Sequence, residues 1–172
     1  MYSGEIERCL RHYSITRRIF RGVFSRDKLP KYRALPGIYV VNTKPSSHPG
    51  EHWVVFYVHK EHTVDYFDSF GNHPLYSHFL SFLQLVGGDI QCNKSRLQSL
   101  CSQVCGIDCI LYAYACASGK DMKDFCHQFS PNRFQENDTR AVQLFHHLYP
   151  PDVLQLSLYP MSGIMHKLCE NI

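Results

Sequence analysis

The 172-residue chain has no run of 18 apolar residues, so it offers no ordinary membrane-spanning helix. Its first residues, MYSGEIERCLRHYS, carry charges where a secretory leader needs an apolar stretch, and an intracellular or intra-particle protein is expected. It has no C-x-x-C pair, no zinc-finger spacing and no KH loop, and no repeat, low-complexity block or linker divides it. Without a leader, its eight cysteines read as thiols rather than as a disulfide framework. Acids are scarce in one region. Between Cys9 and Arg33 there are eight basic residues (11, 17, 18, 21, 26, 28, 31 and 33) and one acid, Asp27. The basic region Arg11 to Arg33 has the charge to meet a polyanion, and a solvated basic face is the plainer reading.

What is present points to one packed domain spanning 1–172. The apolar share is 44%, spread along the whole length, which argues against disorder and suffices for a single core. The spacing of Ile6, Leu10, Tyr13 and Arg17 predicts an amphipathic helix within 5–21. GIYVVNT (37–43), HWVVFYVH (52–59) and TVDYFDSF (63–70) read as strands, the last two paired as a hairpin by the short link KEHT. Leu75, Phe79, Phe82, Leu83 and Val86 give one face of a helix stopped by Gly87 and Gly88. A polar strand or loop follows to Ser99. Cys105–Ala117 reads as a buried helix, and a last helix is predicted over 139–148 with Asp138 as its N-cap. The tail from Pro150 alternates short apolar runs with prolines.

CSQVCGIDCILYAYACA, at 101–117, holds four of the cysteines. Cys109 and Cys116 lie among apolar neighbours and read as small buried hydrophobes. Cys105 sits at a loop-to-helix transition before Gly106. Unpaired backbone N–H groups and the positive helix end favour a thiolate there, and the glycine lets another backbone approach. The rival is a non-catalytic zinc or protein-interaction module built on Cys101, Cys105 and Cys109 with Cys92 upstream. It ranks lower because Cys109, inside a helix, would be taken from the core.

A nucleophilic cysteine needs a base, and eleven histidines make position the only criterion. His52 begins a strand whose hairpin partner brings Asp68 back to the same open end, so ring and carboxylate can meet. Asp65 lies nearer the turn. Asp108 reads as a carboxylate at a helix N-terminus. For the oxyanion of acyl transfer, the Cys105 backbone N–H is one donor, and Gln98 or Gln103 supplies the second. Spacing alone does not choose between them.

His52-Trp53, FDSFG (67–71) and LQSLCSQVCGIDC (97–109), with IFRGVFSRDKLP (19–30) and VNT (41–43), together resemble the adenovirus-type cysteine endopeptidases. The wider clan includes proteases that remove ubiquitin-like modifiers such as SUMO. The resemblance runs from Ile19 to Cys116. It implies the catalytic order His52, Asp68, Cys105, with Trp53 and Gly106 in supporting places, and it favours Gln98, seven residues before the nucleophile, over Gln103. Aspartate at 68 departs from the glutamate frequent in adenoviral enzymes and leans toward the wider clan. The implied fold is α+β: a central, mostly antiparallel sheet flanked by helices, with the nucleophile at the N-terminus of a buried helix. The implied activity is cleavage of viral precursor or capsid proteins by a monomer in the virion and infected cell, including its nucleus. A peptide activator and DNA are the implied cofactors, none being needed for the chemistry itself. Cys92 lies near the place of the peptide-linking cysteine, at a different spacing from the glutamine. The alternative activity is processing of ubiquitin-like modifiers.

Overall fold

The most apolar stretches of the chain make the centre of the sheet. They form β2 (Gly37–Asn42), β3 (Trp53–Val58) and β4 (Val64–Phe67). Both faces of these strands are covered, so apolar residues run on without strict alternation. In the computed structural model, which describes residues 1–31 and 34–150, β3 pairs antiparallel with β2 on one side and β4 on the other. Two outer strands complete the order β1-β2-β3-β4-β5: β1 (Phe20–Ser25), parallel to β2, and β5 (Ile90–Cys92), parallel to β4. The sheet is therefore mixed, which corrects the expectation of a mostly antiparallel one. The parallel pairs arise from crossovers, which local patterns do not reveal. The helix α3 (Ser77–Val86) carries the chain from β4 to β5, and a tight turn at Arg26–Lys28 with its following loop leads from β1 to β2.

The helix expected over 5–21 is two helices, α1 (Ser3–His12) and α2 (Ser14–Ile19), and the chain is already in β1 at Phe20. Tyr13 breaks it with an extended backbone (φ −83°, ψ 138°). Its ring packs 5.3 Å from that of Tyr149, and its hydroxyl donates to the Leu148 carbonyl. A tertiary contact thus overrides the helical period.

Alternate strand residues serve two cores. Ile38, Val40, Val55 and Phe67 face α1, α4 (Cys105–Ala117) and α6 (Phe134–Leu148). Tyr39, Val41, Val54, Phe56 and Tyr66 face α3 through Phe79, Phe82, Leu83 and Val86. Leu75 precedes α3 and is exposed. A short α5 (Met122–Cys126), absent from the sequence reading, joins α4 to α6. The last helix begins at Phe134 rather than Thr139, and Asp138 is not its N-cap. Asp138 is buried inside α6 and accepts a hydrogen bond from the Ser99 amide at 3.2 Å. Its neighbour Asn137 donates to the carbonyls of Leu97 (2.9 Å) and Ser130 (2.8 Å). These two polar side chains hold the loop before α4, which is why the apolar period fades there. The tail beyond Pro150, with His166 and Cys169, lies outside the described residues, as does Arg33.

Candidate functional site

The three candidate catalytic residues stand at element ends that the fold gathers. His52 immediately precedes β3, Asp68 immediately follows β4, and Cys105 opens α4. The β3–β4 register sets Val55 opposite Phe67, and carried past the strand ends it delivers residues 68–70 to His52. His52 Nε2 lies 2.7 Å from Asp68 Oδ1. An ionised carboxylate only accepts, so the ring proton sits on Nε2 and Nδ1 is left for Cys105. The ring of Phe70 stacks on the imidazole, centroids 4.7 Å apart.

Asp68 is itself anchored. Oδ1 accepts from the Phe70 amide (2.8 Å) and Oδ2 from Asn72 Nδ2 (3.2 Å). Buried Asn93 clamps its main chain, accepting from the Asp68 N–H (2.9 Å) and donating to the Asp68 carbonyl (2.7 Å). Gly71, at φ +73°, closes the turn by donating to the same carbonyl at 2.7 Å. Asp65 is at the other end of β4, 3.1 Å from His59 Nε2, and accepts from the Tyr112 hydroxyl at 2.9 Å.

Burial pushes the thiols of Cys9, Cys109, Cys116 and Cys126 up, those of Cys9 and Cys116 to about 12. Cys105 moves the other way. Burial raises its pKa too, but this is outweighed by the hydrogen bond and charge of His52, the Trp53 backbone and the nearby Met1 amino group. The imidazole shifts up in step. Burial disfavours its charge, and the hydrogen bonds and charges of Asp68 and Cys105 more than restore it. Both shifts run in the direction of a thiolate–imidazolium pair. As the first residue of α4, Cys105 also has a backbone N–H without an intrahelical acceptor.

Both candidate glutamines line the cleft above Cys105, which encloses about 1140 Å³. Gln98 is buried, and Gln103 is exposed. Trp53 and Gly106 both meet Met1. The indole donates to the Met1 carbonyl at 3.2 Å, and a Cβ on Gly106 would stand 3.0 Å from Met1 Cβ. The loop before His52 is pinned by Asp27, whose carboxylate accepts from the Ser46 amide and hydroxyl at 2.7 Å each. Phe70, Asn72, Asn93 and Ser69 went unassigned in the sequence reading. Three of them lie in or beside FDSFG, and Asn93 follows Cys92, where only its buried contacts identify it.

Part of the basic region is committed to structure. Arg11 pairs with Glu7 (2.9 Å), Arg21 donates to the Pro36 carbonyl (2.6 Å), and Arg26 donates to the Thr43 carbonyl (3.1 Å) while lying over Tyr76. Arg17, Arg18, Lys28 and Lys31 are exposed. Among the described residues, no group of three or more His, Cys, Asp or Glu is placed to hold a metal ion, and the cysteines are free thiols, Cys92 among them.

Asp108 lies in the first turn of α4, as its place after Cys105 predicts, but it does not face solvent. It is 2% exposed, its Oδ2 has no hydrogen-bond partner, and burial with the nearby Asp138 and Cys105 pushes its pKa well up. A folded-state pKa raised above the unfolded one stabilises in acid and loses that stabilisation as pH rises toward the folded value. Asp108→Asn is therefore expected to be more stable than the parent. The gap in unfolding free energy, read from urea titrations, should be small in acid and widen above the ordinary carboxylate range, by at most about 1.4 kcal/mol per pH unit. A gap independent of pH counts against a buried neutral acid.

No sequence-family model matches the chain, and neither does any curated protein sequence. Among solved structures, it is similar to the SUMO protease Ulp1 with its catalytic cysteine oxidised to a sulfinic acid. That likeness has 15% identity and a TM-score of 0.53, covering 90% of this chain and 78% of the other. It is also similar, at 12% identity and a TM-score of 0.44, to the central domain of Lpg1148 from Legionella pneumophila, covering 86% of this chain and 97% of that domain. The Ulp1 likeness shows the fold: α+β, a mixed sheet flanked by helices, a buried cysteine at a helix N-terminus. The chain thus has a fold distantly like that of the Ulp1-type cysteine proteases.

Proposed function

We propose that the chain is a thiol peptidase. Cys105 attacks a peptide carbonyl, His52 shuttles the proton, and Asp68 orients and charges the ring. The observation that carries this reading is the seat of His52, fixed to Asp68 at 2.7 Å on one side and open to Cys105 at the helix start on the other. The Cys105 N–H and the Gln98 amide are the donors for the oxyanion. Of the substrate classes, the Ulp1 likeness favours processing of a ubiquitin-like modifier at its C-terminal tail.

A second reading, maturation cleavage of viral or virus-like-element precursor proteins, draws on the motifs at 19–30, 41–43 and 67–71 and on the glutamine seven residues before Cys105. In that reading, exposed Arg17, Arg18, Lys28 and Lys31 are the contacts for DNA, and that affinity should fall steeply with salt. One assay separates the two. The purified chain is given C-terminally extended SUMO and, in parallel, unfolded precursor peptides, with a thiol-reactive peptide probe alongside. Cleavage of the folded modifier supports processing, and cleavage of the peptides alone supports maturation. No cleavage and no labelling of Cys105 rejects the peptidase reading.

A further inference from the structure

The residue after the acid is as deeply committed as the acid itself. Ser69 is fully buried and makes three hydrogen bonds, all to the 97–98 segment. Its carbonyl accepts from the Leu97 and Gln98 amides at 2.8 and 3.1 Å. Its hydroxyl donates to Gln98 Oε1 at 2.6 Å. On the far side, Gln98 Nε2 donates to the Ser102 carbonyl at 2.9 Å. The Ser102 carbonyl only accepts, so the amide nitrogen must face it and the amide oxygen must face Ser69. One Nε2 hydrogen is used by Ser102 and the second remains. Gln98 lines the cleft with Cys105, so this second hydrogen is the one available to a substrate oxygen.

An oxyanion donor works by being aimed before charge develops, and a rotated amide would present its oxygen to that charge instead. The Ser102 carbonyl opposes this rotation because it can only accept, and the Ser69 hydroxyl anchors the Oε1 end of the amide away from the cleft. We propose that Ser69 is a positioning residue that, with the Ser102 carbonyl, holds the Gln98 amide in its donating place, so that the Asp68–Ser69 pair serves both the base and the oxyanion site. Asp68 reaches His52 by its side chain while Ser69, one residue on, holds Gln98. Asn93 then supports both by clamping the Asp68 main chain. The proposal rests on the peptidase reading above.

The test is a double-mutant cycle with the substrate the wild-type chain cleaves best. Gln98→Ala should lower kcat about 10²–10³-fold, as for loss of one oxyanion donor. Ser69→Ala should lower kcat about tenfold with little change in KM, and should cause no further loss in the Gln98→Ala background. The rate and pH profile of Cys105 alkylation by iodoacetamide, which forms no oxyanion, should match wild type in both variants. Ser69→Cys, close in volume but a weaker donor, should lose activity like Ser69→Ala. A Ser69→Ala variant with wild-type kcat overturns the role. So does a loss that multiplies in full with that of Gln98→Ala, or a fully active Ser69→Cys beside an impaired Ser69→Ala, since each assigns Ser69 to packing. A wild-type chain that cleaves nothing and whose Cys105 takes no label from the peptide probe overturns the peptidase reading, and this role with it.

Discussion

Cys105→Ala is expected to remove peptide hydrolysis almost completely, by about 10⁴-fold or more, while leaving the fold intact. The nucleophilic sulfur has no substitute at this site. Gln98 and the backbone N–H of residue 105 can polarise a carbonyl, but neither can attack it. The other thiols near α4 make the matched controls. Cys109 is fully buried and its thiol is pushed well up by burial, so Cys109→Ala should cost stability, of order 1 kcal/mol, and leave kcat nearly unchanged. Cys101 is exposed, and Cys101→Ala should be silent in both measurements. Labelling with the thiol-reactive peptide probe should follow Cys105 alone. Substantial hydrolysis by Cys105→Ala, or a chemical loss in Cys109→Ala exceeding its loss of stability, would falsify the assignment of the nucleophile.

The parts of this fold that were legible are those where one local signal suffices. GIYVVN, WVVFYV and VDYF are short apolar runs rich in Val and aromatics, and they are strands. CGIDCILYAYACA is apolar all round because both sheet and helices cover it. FRGVFS was not legible as β1. It carries Arg and Gly and continues the period begun by Ile6 and Leu10, and only its pairing with β2, along a register broken between Phe20 and Gly22, makes it a strand. The start of α6 is hidden in the sequence for a related reason. Asn137 and Asp138 point inward, where polar side chains look like the outside of a helix or its cap.

The site divides in the same way. His52 and Asp68 were placed by hairpin geometry, which a strand pattern fixes. Asp65 was set aside by the same geometry, and the structure seats it with His59 and Tyr112. The choice of Gln98 over Gln103 came from the resemblance, because the fold of a loop is not written in its spacing. The hydrogen bonds that orient Gln98, and the clamp of Asn93 on Asp68, join segments some 25–29 residues apart, and no local pattern encodes them.

His52→Ala should fall nearly as far as the loss of the nucleophile, about 10⁴-fold or more, because the thiolate loses its counter-charge and the leaving amine its proton donor. Asp68→Asn should be milder, about 10²-fold in kcat/KM. The reason is geometric. The Phe70 amide needs an acceptor where Oδ1 stands, so the amide oxygen of the substituted side chain should keep that place and still accept from His52 Nε2. Orientation survives and charge is lost. The sign of the pH effect follows. Asp68 is among the groups that raise the His52 pKa, so its neutral replacement lets the imidazolium lose its proton at lower pH. The upper limb of the profile for Cys105 alkylation by iodoacetamide should move to lower pH in Asp68→Asn and be missing in His52→Ala. If the limb stays in place in Asp68→Asn, or if His52→Ala keeps the wild-type profile, the thiolate draws its stabilisation from elsewhere. The Trp53 backbone and the Met1 amino group would then be the groups left to supply it.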